Sequence, residues 1–308
     1  GQDGCEGPGS SVDYIYSTGD IQGSQNVGGL FGDASTTTIR HSYAEGNISG
    51  WYYVGGLVGY ARGATEISES FYHNGTISLD GSSGGGLIGE TSGVISIYDS
   101  YAKVNITGQQ EIGGLVGLGQ GGGGNYLDIS NSYAVGSINS SAWQLGGIVG
   151  AIGSGTITKV FSSVTISSSN LTVGGLYGAN ADATVDGYVD QSAFGCGGVV
   201  AAEGTGTQDC TPVNIEGSDP AYFKYTNLNP PLNQWDFAEV WNTVSNDYPC
   251  LNWSTVSCGL TQTDSDGDSV PNYIEEDAPN NGDANDDGIP DAVQPNVASY
   301  LNIVTNNY

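Results

Sequence analysis

The apolar positions of the chain repeat over a long period. A Gly-Gly-aliphatic core stands at Gly28-Gly29-Leu30, Gly55-Gly56-Leu57, Gly85-Gly86-Leu87, Gly113-Gly114-Leu115, Gly146-Gly147-Ile148 and Gly174-Gly175-Leu176. A further glycine follows two residues after each aliphatic, as in Gly55-Gly56-Leu57-Val58-Gly59. The steps between copies are 27, 30, 28, 33 and 28 residues. Two more tracks keep pace. Tyr16, Tyr43, Phe71, Tyr101, Tyr133 and Phe161 precede the glycine pairs at near-constant spacing. Val12, Ile39, Ile67, Ile97, Ile129 and Ile157 lie four residues before those aromatics, and Ile21, Ile48, Ile77, Ile106, Ile138 and Ile166 lie shortly after them. Length varies mainly after the glycine pair, most visibly at the insert Gly121 to Gly124.

A period of this size is the signature of a stacked-repeat architecture. Each repeat reads as three short strands separated by Gly/Ser/Asn corners. One repeat cannot bury its own apolar face, but stacked repeats share a continuous core. The expected fold class is therefore all-β: a β-solenoid (β-helix) of about six to seven three-strand rungs. Rungs spaced by roughly 4.8 Å would make a column about 30 Å tall. A β-propeller fits less well, because its blades need about 40 residues and four strands.

The Gly-Gly-Leu-Val-Gly core, together with Ser-Tyr-Ala segments such as Ser42-Tyr43-Ala44, resembles the GLUG repeat of large bacterial surface and secreted proteins. The resemblance covers about residues 10–200 and implies a scaffold. It does not by itself imply an activity.

Three regions are expected: a GLUG-like solenoid at 1–200, an aromatic and cysteine-containing cap at 201–260, and an acidic stretch with the start of a further segment at 261–308. In the cap, Trp235-Asp236-Phe237, Val240-Trp241 and Tyr248-Pro249 resemble the closing segment that often follows such repeats. An open solenoid end exposes unpaired strand edges, which a stapled aromatic segment would cover. Trp235 and Trp241 are the alternative candidates for carbohydrate stacking.

The five cysteines suit an oxidising compartment better than a zinc site, since no CxxC occurs. The short loops suggest Cys196–Cys210 and Cys250–Cys258, although sequence does not fix the connectivity. Cys5 is left over: free, paired outside this segment, or bridged to another copy.

Charge changes the picture further. Five Lys and Arg stand against 33 Asp and Glu, for a net charge of −28. That balance argues against nucleic acid or an anionic membrane as partner. No apolar run is long enough to span a bilayer as a helix. No signal peptide opens the chain, which reads as a mature secreted form or an excised piece, extracellular or at the cell surface.

The strongest chemical signal lies at 264–291. Its first unit offers Asp264, Asp266, Asp268, the Val270 carbonyl and Glu275, with Ser269 where a turn glycine is usual. Its second offers Asp283, Asn285, Asp287, the Ile289 carbonyl and Asp291, with Gly288 in the turn position. Alternating oxygens at positions 1, 3 and 5, a carbonyl at 7 and a later carboxylate are the donor set of a curled Ca2+ loop. Both units resemble thrombospondin type 3 repeats, and that resemblance implies bound calcium as a stiffening ion.

Catalytic signals are weak. Glu45, Glu66, Glu69, Asp99 and Asp128 are acidic candidates of the kind β-helix enzymes place on adjacent rungs. Nothing pairs them, and His41 and His73 read as structural. The expected function is a non-enzymatic extracellular structural or adhesive protein. It would be displayed on the cell surface or self-associated into filaments, with surface glycans or other surface proteins as partners. A carbohydrate-binding module and a polysaccharide-degrading β-helix enzyme are the alternatives.

Overall fold

The computed structural model describes residues 9–140, 143–168, 172–189, 197–200, 208–212, 235–243, 249–253, 288–290 and 293–294. Among them the chain is all-β and winds as a solenoid of about six turns. No helix among the described residues is long and apolar enough to cross a membrane.

The first face is a six-stranded parallel sheet of Gln25–Gly28, Tyr52–Gly55, Ser82–Gly85, Gln110–Gly113, Leu145–Gly146 and Val173–Gly174. The first glycines of the six pairs stack in one row: Gly28, Gly55, Gly85, Gly113, Gly146 and Gly174. The second face is carried by strands such as Val58–Ser68 and Ile88–Tyr98, which turn a corner at Gly63 (φ 68°) and Gly93 (φ 113°). The third face comprises Phe71–Leu79, Tyr101–Gly108, Tyr133–Ser140 and the end of Gly155–Ser167. All these ladders are parallel, and one sheet runs round the second and third faces.

The motif glycines are set by close backbone approach. A Cβ on Gly55 would sit 2.0 Å from the Val58 carbonyl oxygen, and one on Gly56 would sit 2.0 Å from the Gly86 carbonyl oxygen. A Cβ on Gly59 would lie 2.4 Å from the Val27 nitrogen on another face. Backbone therefore packs on backbone here, leaving no room for a side chain. Between the glycines, Leu57, Leu87, Leu115, Ile148 and Leu176 point into the column and are fully buried. They join the two isoleucine tracks in one continuous interior cluster.

The corner before the aromatic track is built from two residues. Tyr14, His41, Glu69, Asp99, Asn131 and Lys159 all adopt left-handed backbone, with φ between 44° and 53°. Such residues are strained by about 1–2 kcal/mol each and persist only where neighbours fix them. What fixes four of them is the next residue, a buried serine. Ser70 Oγ donates to its own Ser68 carbonyl (2.7 Å) and accepts from the Ser42 N–H of the adjoining rung (3.1 Å). Ser100 and Ser132 repeat the arrangement, accepting from Ser70 and Ser100 N–H at 3.2 Å.

Two findings differ from the sequence expectation. First, the aromatic track does not enter the interior. The left-handed corner breaks the alternation of side chains, so Phe71 points out while Tyr72 points in, and the outward rings form a second cluster. Second, the parallel strands run past the expected solenoid boundary at 200. Gly197 stands in register with Tyr177, and the parallel ladder continues through Gln208–Pro212.

At the fourth rung the insert Gly121–Gly124 bulges from the column. A Cβ on Gly122, Gly123 or Gly124 would meet nothing within 4 Å, and Asn125 N–H closes the turn on the Gly122 carbonyl at 2.9 Å.

Candidate functional site

The outward rings form a ladder on the third face. Tyr16, Tyr43, Phe71, Tyr101, Tyr133 and Phe161 stack with centroids 4.7–5.4 Å apart and planes within 11°. The expected cap residues cover the side of this ladder. Trp253 lies over Phe71 and Tyr101, Trp241 over Tyr133 and Phe161, and Trp235 against Phe161 and Trp241. Asp236 shapes the turn between them, its Oδ1 accepting from Ala238 and Glu239 N–H at 2.9 and 3.0 Å. The described part of 235–253 is thus a lateral clasp. Trp241 is fully buried and Trp235 nearly so, which removes both as sugar platforms. Burying these rings is worth more than exposing them, because each aromatic brings a large apolar area.

The acidic candidates and histidines brace neighbouring rungs. Glu66 accepts from Arg40 at 3.2 Å and from the Tyr98 hydroxyl at 2.7 Å. His41 contacts Asp13 through Nδ1 at 2.7 Å and Glu69 through Nε2, with Tyr14 stacked on its ring. Burial pulls the His41 pKa down, but the hydrogen bonds and charges of Asp13 and Glu69 outweigh it and hold it up at about 9. The same contact holds the Glu69 carboxyl below its ordinary range. His73 contacts Glu45, and Thr156 bonds Asp128. Asp99 has its pKa raised by burial, and its Oδ1 has no hydrogen-bond partner. Among the described residues these groups come together in twos and threes along the axis.

A carboxyl pair that the sequence reading missed lies where the first and second faces meet. Ser83 Oγ is 3.0 Å from Glu90 Oε2 and 2.8 Å from Glu111 Oε2. Serine has one proton to donate, so both contacts are hydrogen bonds only if one carboxyl is protonated. Burial raises the Glu90 pKa, helped by the Glu111 charge and opposed by the hydrogen bonds from Gln120 and Ser83. Gln120 donates to its other oxygen at 2.6 Å. The register of the glycine pairs could have flagged Ser83 and Glu111, which sit two residues before Gly85 and Gly113.

Three of the exposed aromatics lie at the first face, and Tyr126 lies on the second. Trp51 is 49% exposed, Tyr52 38% and Trp143 59%. Trp51 and Tyr52 open onto a cleft of about 550 Å³ lined also by Asp80, Gly81, Ser82, Gln109 and Gln110. Their backbone is pinned: Trp51 and Tyr52 N–H both donate to the Ser24 carbonyl, and Gly81 N–H donates to the Trp51 carbonyl.

The calcium positions Asp264, Asp266, Asp268, Val270, Glu275, Asp283, Asn285, Asp287 and Asp291 lie outside the described residues. Ile289 is described and exposed, and Gly288 before it has φ 87°. Gln294 Nε2 donates to the Ile289 carbonyl at 3.2 Å. Among the described residues no group of three or more His, Cys, Asp or Glu side chains is arranged so that it could hold a metal ion. Cys5, Cys196 and Cys258 also lie outside the described residues, while Cys250 is buried in a short antiparallel pair with Trp241–Asn242. Comparison with known proteins finds no matching family model, no matching curated protein and no matching solved structure.

Proposed function

We propose that the chain is a non-enzymatic extracellular structural or adhesive protein, displayed at the cell surface or assembled into filaments. The observation that supports this is the axial use of side chains. Serine, isoleucine, aromatic and carboxylate rows each tie one rung to the next, so the polar groups that could do chemistry are engaged in bracing. A column braced this way resists bending, which suits a spacer. At its start, Ser10–Asp13, Tyr16–Ser17 and Ile21–Gln22 pair on one side alone among the described residues. Such edges accept another strand and give a route to end-to-end assembly. The acidic stretch at 264–291 adds calcium as a stiffening ion, a reading that rests on its donor spacing.

The enzymatic alternative has one observation in its favour, the carboxyl pair Glu90 and Glu111. Both oxygens of Glu90 are taken by Ser83 and Gln120 within the fold, so we read this pair too as bracing.

Electron microscopy of the purified chain tests the proposal, with calcium and then with excess chelator. Rods or ordered fibres that loosen under chelator are expected. Particles with no long axis in calcium, or turnover of a polysaccharide abolished by Glu90→Gln, would overturn it.

A further inference from the structure

We infer that the first face binds an uncharged oligosaccharide lying along the column axis, held between Trp51 with Tyr52 at one end and Trp143 at the other. The inference deepens the adhesive reading and rests on it for its biological sense, while the binding itself is measurable alone.

Tyr52, Ser82 and Gln110 occupy equivalent positions on successive rungs. Trp143 follows one rung further on, its carbonyl accepting from Glu111 N–H at 3.1 Å. Three rung steps at roughly 4.8 Å separate the two aromatic ends by about 14 Å. That span takes a short run of sugar units. Beside Trp51 and Tyr52 the cleft is lined by hydrogen-bonding groups that lead toward the Trp143 rung: Asp80, Ser82, Gln109 and Gln110.

This combination matches the chemistry of a sugar ring. One ring face presents C–H groups that stack on an aromatic plane, while the hydroxyls around the edge need donors and acceptors. Large exposed rings on an otherwise polar face mark a recognition surface. The cleft volume falls in the range of roughly 300–1,000 Å³ typical of small-molecule sites.

The platform is also held ready. A Cβ on Gly81 would come within 2.7 Å of Tyr52 Cε1 and 2.8 Å of Trp51 Cδ1. Both rings therefore rest on the Gly81 backbone, which limits their freedom before any ligand arrives and lowers the ordering cost of binding. Charge selects the ligand class. The cleft contains Asp80 and no Lys or Arg, on a chain of net charge −28, so sulfated or uronic glycans are repelled.

The test is a titration of the full chain with neutral gluco-, manno- and galacto-oligosaccharides of two to six units, read by tryptophan fluorescence. Sulfated and uronic oligomers of the same lengths serve as controls. At least one neutral series is expected to bind, tightening with length until the span is filled. Trp51→Ala and Trp143→Ala should each weaken binding tenfold or more with unchanged circular dichroism, and Gly81→Ala should weaken it by displacing the rings. No binding by any neutral series at millimolar concentration would overturn the inference, as would affinity unchanged in both tryptophan variants, or binding confined to the acidic controls. The outcome is independent of the microscopy: rods that bind no sugar remain a scaffold, and sugar binding by particles without a long axis would overturn the display reading alone.

Discussion

The molecule contains two stacks that run the same way and are sealed differently. The interior stack of Leu57, Ile67, Ile77 and their equivalents is closed by repetition itself, because three faces wrap it at every rung. The aromatic stack points outward, and from Phe71 to Phe161 it is covered by Trp235, Trp241 and Trp253, which belong to a segment that occurs once. Repetition thus makes the column, but a non-repeated segment makes its third face dry. The first stack should fail everywhere or nowhere, whereas the second can be undone locally.

The sharpest way to break the inner stack is to add bulk where backbone packs on backbone. A side chain on Gly86 would meet the Gly114 carbonyl oxygen at 2.1 Å and Ala102 Cβ at 2.6 Å, and the first of these is backbone that cannot swing aside. Gly86→Val is expected to destabilise by more than about 4 kcal/mol, the range of severe core lesions. Its readout is loss of cooperative thermal unfolding across all rungs.

The outer stack calls for a different signature. Trp241→Ala should lose about 3–5 kcal/mol of packing, as large aromatic truncations do. The loss should appear as fast hydrogen exchange and proteolysis in 235–253 while strand content survives. Trp241→Phe should lose less, since the buried indole Nε1 has no hydrogen-bond partner to forfeit. Exchange that accelerates equally in the interior would erase the distinction between the stacks.

Ser100 sits on the boundary between the two. Ser100→Ala strands the Ser70 N–H, while the Tyr98 carbonyl keeps the Glu69 N–H at 3.4 Å, a loss of about 1–3 kcal/mol for an unsatisfied buried group. Chemical denaturation should show it as a lower midpoint with an unchanged slope.

The smallest effect is set by pH at the start of the column. His41 is charged in the folded state up to a pKa of about 9 and near 6.5 when unfolded. Its contribution is complete below about pH 6.5, falls as pH rises, and is gone above about pH 9. The melting temperature should therefore decline across that window, and His41→Gln should flatten the decline.

The inner stack was legible because its spacing is rigid. Glycines that touch backbone tolerate no substitute, so their period survives while loop lengths drift. The direction of the aromatic track was not legible. Between Ile67 and Phe71 the chain passes Glu69 at φ 47°, and one left-handed residue is enough to reverse which side of the sheet follows. The serine before four of the six aromatics was visible as a pattern, yet its reason lies in the N–H of the adjoining rung. The partnership of Glu90 with Glu111 depends on two faces meeting at Ser83, a contact that no linear spacing announces. Trp235 and Trp241 were recognised as aromatic anchors and assigned to the wrong surface, since only the fold brings them beside Tyr133 and Phe161.

The glycine bulge at 121–124 has an engineering consequence. Its last three glycines face open space, Gly121 packs against Gly153, and its downstream foot is tied to the column where Asn125 Oδ1 accepts from Gly93 N–H at 2.8 Å. Foreign sequence inserted between Gly122 and Gly124 would begin and end at anchored points without entering any ladder. The column could then carry a grafted epitope or enzyme at a fixed height and azimuth, and tandem copies would present such cargo at regular intervals.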